Sequence, residues 1–126
     1  MNEIQEYKLP FEKLHVWHLA KDFTKSIYGI TRNFPADERF GLTNQITRAA
    51  VSVMSNIAEG SARTSRKDQA HFSQLAYSSL MEVACQVQLA HELGYCSPES
   101  FTGIKEQILM ISAKINALRR SQLKEG

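Results

Sequence analysis

The sequence predicts an all-α protein, an antiparallel up-down-up-down four-helix bundle built as one domain. Three observations lead there. Apolar residues recur at steps of three and four along four separate stretches, the period of one helix face. Only three prolines and six glycines punctuate the 126 residues, so long helices can run unbroken. No alternation of apolar and polar residues reaches the length of a convincing strand. The composition, 43% apolar and 22% charged, is that of a folded chain rather than a disordered one. A chain of this length buries a core without metal or disulfide staples.

Residues 1–13 read as an N-terminal arm ahead of a bundle formed by residues 14–126. The arm ends in Leu9-Pro10-Phe11, and the Phe11 ring calls for burial on the bundle. The first helix spans about residues 14–33, with Trp17, Ala20, Phe23, Ile27 and Ile30 as its apolar stripe. Phe34-Pro35 closes it, because proline disfavours helical geometry in the residue before it. Gly29, inside it, costs about 1 kcal/mol relative to alanine, and marks either a close helix approach or simple tolerance. The second helix spans about residues 37–59, with Leu42, Ile46, Ala49, Val53 and Ile57 on its stripe. Its many small residues (Ala49, Ala50, Ser52, Ser55, Ala58) let a neighbouring backbone come close. Gly60 follows as a left-handed stop.

The third helix spans about residues 66–93, opened by Ser65 with Asp68 three residues on. Phe72, Leu75, Ala76, Leu80, Val83, Val87 and Ala90 form its stripe, and Gly94 ends it. The fourth spans about residues 98–123 and opens with Ser97-Pro98-Glu99: a cap, a first-turn proline, and an acid at the positive end of the helix dipole. Phe101, Ile104, Ile108, Ile111, Ile115 and Leu118 carry its stripe, and Arg119, Arg120 and Lys124 suit its negative end. Short linkers make sequential helices antiparallel neighbours.

Net charge is only +2, but it is unevenly spread. Residues 32–67 carry six basic side chains against three acidic ones, whereas residues 68–118 carry two against five. Such polarity can steer a charged partner or complement a second copy. Cys85 and Cys96 make no disulfide scaffold; Cys85 reads as a buried helix thiol and Cys96 as a loop thiol in a reducing compartment. The N-terminus lacks a basic n-region and an apolar h-region, and apolar runs are far too short to span a bilayer. The expected location is the cytoplasm, with no membrane partner.

No chemistry can be assembled from the reactive residues. His15 and His18 share a helix face, but no HExxH or CxxC accompanies them, so no metal is expected. His71 and His91 fall at the edge of the third stripe. Cys85 and His91 are six residues apart, on different faces. Ser121 and Lys124 form an SxxK without its companion motifs. No glycine-rich phosphate loop is present. Neither an enzyme nor a cofactor is expected. Two binding surfaces stand out instead. Arg48, Ser52, Ser55 and Glu59 occupy one sector of the second helix, suited to another helix or simply to solvent. Arg63, Arg66 and Lys67 form a basic corner among Ser and Thr, suited to phosphate, although such clusters also occur on inert surfaces.

The run Phe11-Glu12-Lys13-Leu14-His15-Val16-Trp17 begins a wider resemblance. Its centre is Phe40-Gly41-Leu42 and the pattern Gln45-Ile46, Arg48-Ala49, Ser55-Asn56-Ile57-Ala58-Glu59-Gly60. Ser79-Leu80-Met81-Glu82 and Leu93-Gly94-Tyr95 complete it. Together these resemble the bacterial four helix bundle proteins, also called the 23S rRNA intervening-sequence protein family, from about residue 11 to about residue 118. Val53 stands where that family more often has isoleucine, a conservative departure. The resemblance implies an up-down bundle and a homo-oligomer, a pentameric ring in characterised relatives. Some relatives are encoded within intervening sequences of 23S rRNA genes. A related group serves as the accessory protein of diversity-generating retroelements, where a positive barrel contacts nucleic acid and the reverse transcriptase. Carried onto this chain, the pattern has Gly60 shaping a turn, Arg48 and Glu59 bridging helices or subunits, and Glu82 near a helix boundary beside an arginine. The function expected is a non-enzymatic oligomer that presents Arg63, Arg66 and Lys67 to RNA or another nucleic acid. The alternative is a protein-binding scaffold or accessory factor without nucleic-acid contact.

Overall fold

The computed structural model describes residues 7–124. Four helices account for most of them: α1 (His15–Thr31), α2 (Leu42–Ser61), α3 (Arg66–Glu92) and α4 (Pro98–Leu123). Short 3-10 turns precede α1 (Pro10–Lys13) and α2 (Ala36–Glu38), and there is no strand among the described residues. The chain is therefore all-α, a four-helix bundle.

Local chemistry sets the helix ends. The Ser65 and Ser97 hydroxyls accept from the backbone N–H of Asp68 (3.0 Å) and Ser100 (3.1 Å), capping α3 and α4. Gly94 ends α3 with φ +81°; its N–H donates to His91 O (3.0 Å), and that of Tyr95 to Ala90 O (2.9 Å). Those two bonds are the Schellman arrangement that only a left-handed residue permits at low cost. The second helix starts at Leu42, later than the spacing predicts. Residues 36–38 turn in 3-10 fashion, and the Glu38 carboxylate accepts from Leu42 N–H at 3.1 Å, a first-turn donor of α2.

Neighbouring helices pack in the order α1–α2–α3–α4–α1, with α2 and α3 the most extensive pair. Contacts between α2 and α3 join Gln45 to Gln86 (3.3 Å) and Ser52 to Ser79 (2.8 Å). Gly60 backs onto Phe72. Ser73 donates to Gln122 (2.6 Å) across α3 and α4, and His91 stacks on Phe101 with ring centroids 4.2 Å apart. One residue number climbs as the other falls in both pairs. Thr24, buried in α1, donates to Ala20 O of its own helix (2.8 Å) and, in a three-centre bond, to Ala50 O of α2 (3.2 Å).

The predicted stripes meet in one core. Phe23, Ile27, Ile46, Val53, Leu80, Val83, Val87, Ile111 and Ile115 are its largest fully buried side chains. Trp17, Ile30, Leu42, Phe101 and Leu118 flank it half-buried. Two expectations on α3 fail. Leu75 is exposed, since it lies one position off the Ala76–Leu80 line, and Cys85 is exposed between the buried Val83 and Val87. Phe11 finds its burial against Trp17, centroids 4.5 Å apart. The arm's residues 1–6 lie outside the described residues. No helix among the described residues is long and apolar enough to cross a membrane.

Candidate functional site

The basic corner grows from the close approach of α2 to α3. A Cβ on Gly60 would stand 2.9 Å from Phe72 Cβ and 3.4 Å from Gln69 O. Only a residue without a side chain lets the α2 backbone rest on Phe72. This corrects the sequence reading: α2 runs through Gly60 to Ser61, and Gly94 is the one described glycine with positive φ. Gly60 shapes a helix contact, not a turn.

The connection to α3 is tightly held. Arg63 N–H donates to Gly60 O at 3.1 Å, and the Gln69 side chain donates to Arg63 O at 2.9 Å. The exposed Arg63 guanidinium lies over the Phe72 ring, 4.5 Å from its centroid. His71, also exposed, meets Phe72 edge-on with centroids 5.7 Å apart. Arg66 reaches across to α4, where Nη1 donates to Ser121 O and Lys124 O at 3.2 Å each. It thus satisfies carbonyls at the negative end of α4. Lys67 is exposed in the first turn of α3, at that helix's positive end, where a cation is unfavourable and an anion welcome.

The three predicted cations are therefore neighbours in sequence with different employment. Arg63 covers a ring, Arg66 ties two helices, and Lys67 stands in solvent. Beside them opens a cleft of about 550 Å³. Pro10, Lys13 and Leu14 form one wall, Ser61, Thr64, Arg66 and Gln69 another, and Leu118, Ser121 and Gln122 of α4 the third. The sequence reading missed Lys13 because the arm's course over the bundle leaves no periodic signal. The arm is set by Leu9 N–H donating to Glu12 (2.9 Å) and by a hydrogen bond between the His18 ring and Glu12 O (2.7 Å).

The sector on α2 divides. Ser52 joins Ser79, and Asn56 donates to both Ser52 O (2.9 Å) and Ser52 Oγ (3.0 Å), so this residue does mediate a helix contact. Arg48, Ser55 and Glu59 are exposed. Glu82 is exposed too and accepts from Gln86, one turn on, at 3.2 Å. At the far end of α2, Tyr95 OH donates to Glu38 at 2.9 Å. That bond first, then burial, then the negative charges of Glu38 and Asp37 raise the tyrosine pKa. Burial likewise raises that of the Cys96 thiol. Among the described residues no three His, Cys, Asp or Glu side chains are placed to hold a metal ion.

Comparison with known proteins gives the chain its relatives. One similar solved structure is that of a protein with unknown function from the S23 ribosomal protein family of Bacteroides thetaiotaomicron. It is 21% identical, superposes with a TM-score of 0.75, and the match covers 83% of this chain and 98% of that one. This likeness establishes the shared fold. No curated protein matches the sequence. The family model described as 23S rRNA-intervening sequence protein matches residues 12–117. The match takes in the end of the arm's turn, all of α1, α2 and α3, and most of α4, and the chain belongs to the 23S rRNA-intervening sequence protein family.

Proposed function

We propose that this chain is a non-enzymatic binding protein of the cytoplasm. In this reading it is a homo-oligomeric, up-down-up-down bundle that holds RNA on a basic surface repeated around a ring. The observation that carries the reading is the basic cleft: Lys13 and Arg66 in its walls, with Arg63 and Lys67 exposed beside it. The antiparallel arrangement is supported by helix contacts that pair rising with falling residue numbers. It brings the end of α2, the start of α3 and the end of α4 together, and with them Arg119, Arg120 and Lys124 of the last turns. Cations at the positive end of α3 add to its dipole and deepen the potential well for phosphate. The family description makes RNA the first nucleic acid to test. A ring, pentameric as the resemblance implies, multiplies a weak patch into avidity.

The deciding experiment is RNA binding by fluorescence anisotropy on the sized oligomer across a salt series. Phosphate contacts release counterions, so affinity falls linearly with salt on logarithmic axes. Arg63→Ala/Lys67→Ala removes two exposed cations without touching the Arg66 tie, and is expected to make that slope shallower by roughly 2. No salt-sensitive binding even at low salt overturns the reading.

A second reading, a protein-binding scaffold, is favoured by one feature. An apolar groove of about 250 Å³ runs between α3 and α4, lined by Met81, Ala84, Val87, Phe101, Ile108 and Leu109 among others. Leu89, Leu109 and Met110 are exposed. Apolar surface of this kind suits a protein, whether another copy or a different chain.

A further inference from the structure

We infer that the corner takes unpaired RNA, with a base stacked on the Arg63–Phe72–His71 surface and the adjoining phosphates in the cleft beside Lys13. This rests on the RNA-binding reading and names the form of RNA within it.

A patch that only neutralised phosphate would need point charges, which flexible lysines supply. This corner is built differently. The Arg63 backbone is held at both its N–H and its carbonyl, by Gly60 O and the Gln69 side chain. Its guanidinium, a rigid plane, lies over Phe72, and His71 sets a second exposed ring edge-on to the same phenyl group. The phenyl ring is in turn backed by Gly60, whose missing side chain leaves it room. The result gathers two exposed stacking elements, the Arg63 guanidinium and the His71 ring, around one phenyl group, on a backbone held in place before any partner arrives. Guanidinium planes and aromatic rings are what splayed bases stack on, and stacking tolerates any base because every base has a π face. In an A-form duplex the bases are already stacked on each other, so such a surface favours single strands. Directly beside it, the cleft offers Lys13 and the Thr64 hydroxyl to the backbone of the same strand.

The test uses the full chain as its native oligomer and four probes. Three of these differ in the strand (a labelled oligoadenylate, an abasic strand of equal length, and the oligoadenylate annealed to oligouridylate), and the fourth is free oligouridylate as a single-stranded control, each at several salt concentrations. The single strand is expected to bind about tenfold more tightly than the abasic strand, which keeps the phosphates and lacks the bases. It is also expected to outbind the duplex. Arg63→Lys keeps the charge and removes the plane, so it should erase most of the difference between single and abasic strands while leaving the salt slope unchanged. Phe72→Leu should do the same if circular dichroism shows it folded; Arg63→Lys decides the matter where it is not. Salt-sensitive binding that is equal for the strand, the abasic strand and the duplex, and indifferent to Arg63→Lys, overturns the stacking inference and leaves phosphate binding standing. Absence of salt-sensitive binding to all probes overturns both.

Discussion

Glycines within the helices differ by what a methyl group would meet. At Gly29 in α1 and Gly103 in α4 an added Cβ has nothing within 4 Å. Alanine there should stabilise the fold by up to about 1 kcal/mol, read from urea melts. At Gly60 the same methyl meets Phe72 Cβ at 2.9 Å, and an atom so close to its own backbone cannot swing away. Gly60→Ala should instead cost about 1–3 kcal/mol, the usual cost of overpacking. Tyr95 gives a second residue-scale prediction, this one in pH. Its pKa is raised above the ordinary 10.0 in the fold, chiefly by its bond to Glu38. A raised folded pKa means stability fully present below the unfolded value and lost as pH rises through the folded one. The advantage of the parent chain over Tyr95→Phe in thermal melts should therefore be level from neutral pH up to about 10.0 and shrink as pH climbs past it.

Between helices, the polar seam of α2 and α3 is a small network of Ser52, Ser79 and Asn56. A double-mutant cycle on Ser52→Ala and Ser79→Ala should show coupling of about 1 kcal/mol, because removing Ser52 takes away the Ser79 hydroxyl's partner, while removing Ser79 leaves Ser52 only its bond from Asn56. Sequence pattern revealed the helices and most of the core, since burial on one face imposes its own period. What it mislaid lay where a distant residue decides. The start of α2 depends on the Glu38 carboxylate reaching Leu42, a side-chain cap with no periodic trace. Gly60 sat where a helix stop is usual, and its true role depends on Phe72, which only packing brings near. Of the candidate site, the three cations were legible from clustering. Their division of labour was not: Arg66 bonds to carbonyls more than fifty residues away in the chain, and Lys13 joins through the arm.

On the scale of the whole molecule, the basic cleft lies at one end, and an apolar groove lies along the side formed by α3 and α4. Leu109, on that side, is 63% exposed. Leu109→Glu should leave helicity intact and shift the stability of a lone protomer by no more than about 0.5 kcal/mol. Its effect should appear in sedimentation, as a smaller species, because a charge placed in an apolar contact between chains is left without a partner. A sedimentation profile unchanged from that of the parent chain would mean that this groove holds no second copy. The two proposed surfaces are thereby separable: Arg63 and Lys67 variants should alter RNA affinity at constant size, and the Leu109 variant size first.

Trp17 is the chain's single tryptophan, and it touches the arm: Phe11 lies against it, and the Lys21 ammonium sits 5.2 Å from the ring. Its emission is therefore a built-in optical gauge of whether the arm is seated. Lys13, two residues along from Phe11, lines the cleft, so a strand entering there and dragging on the arm would register in the ultraviolet without any label. Stopped-flow mixing could then follow in real time whether the arm yields before the strand arrives or only after it.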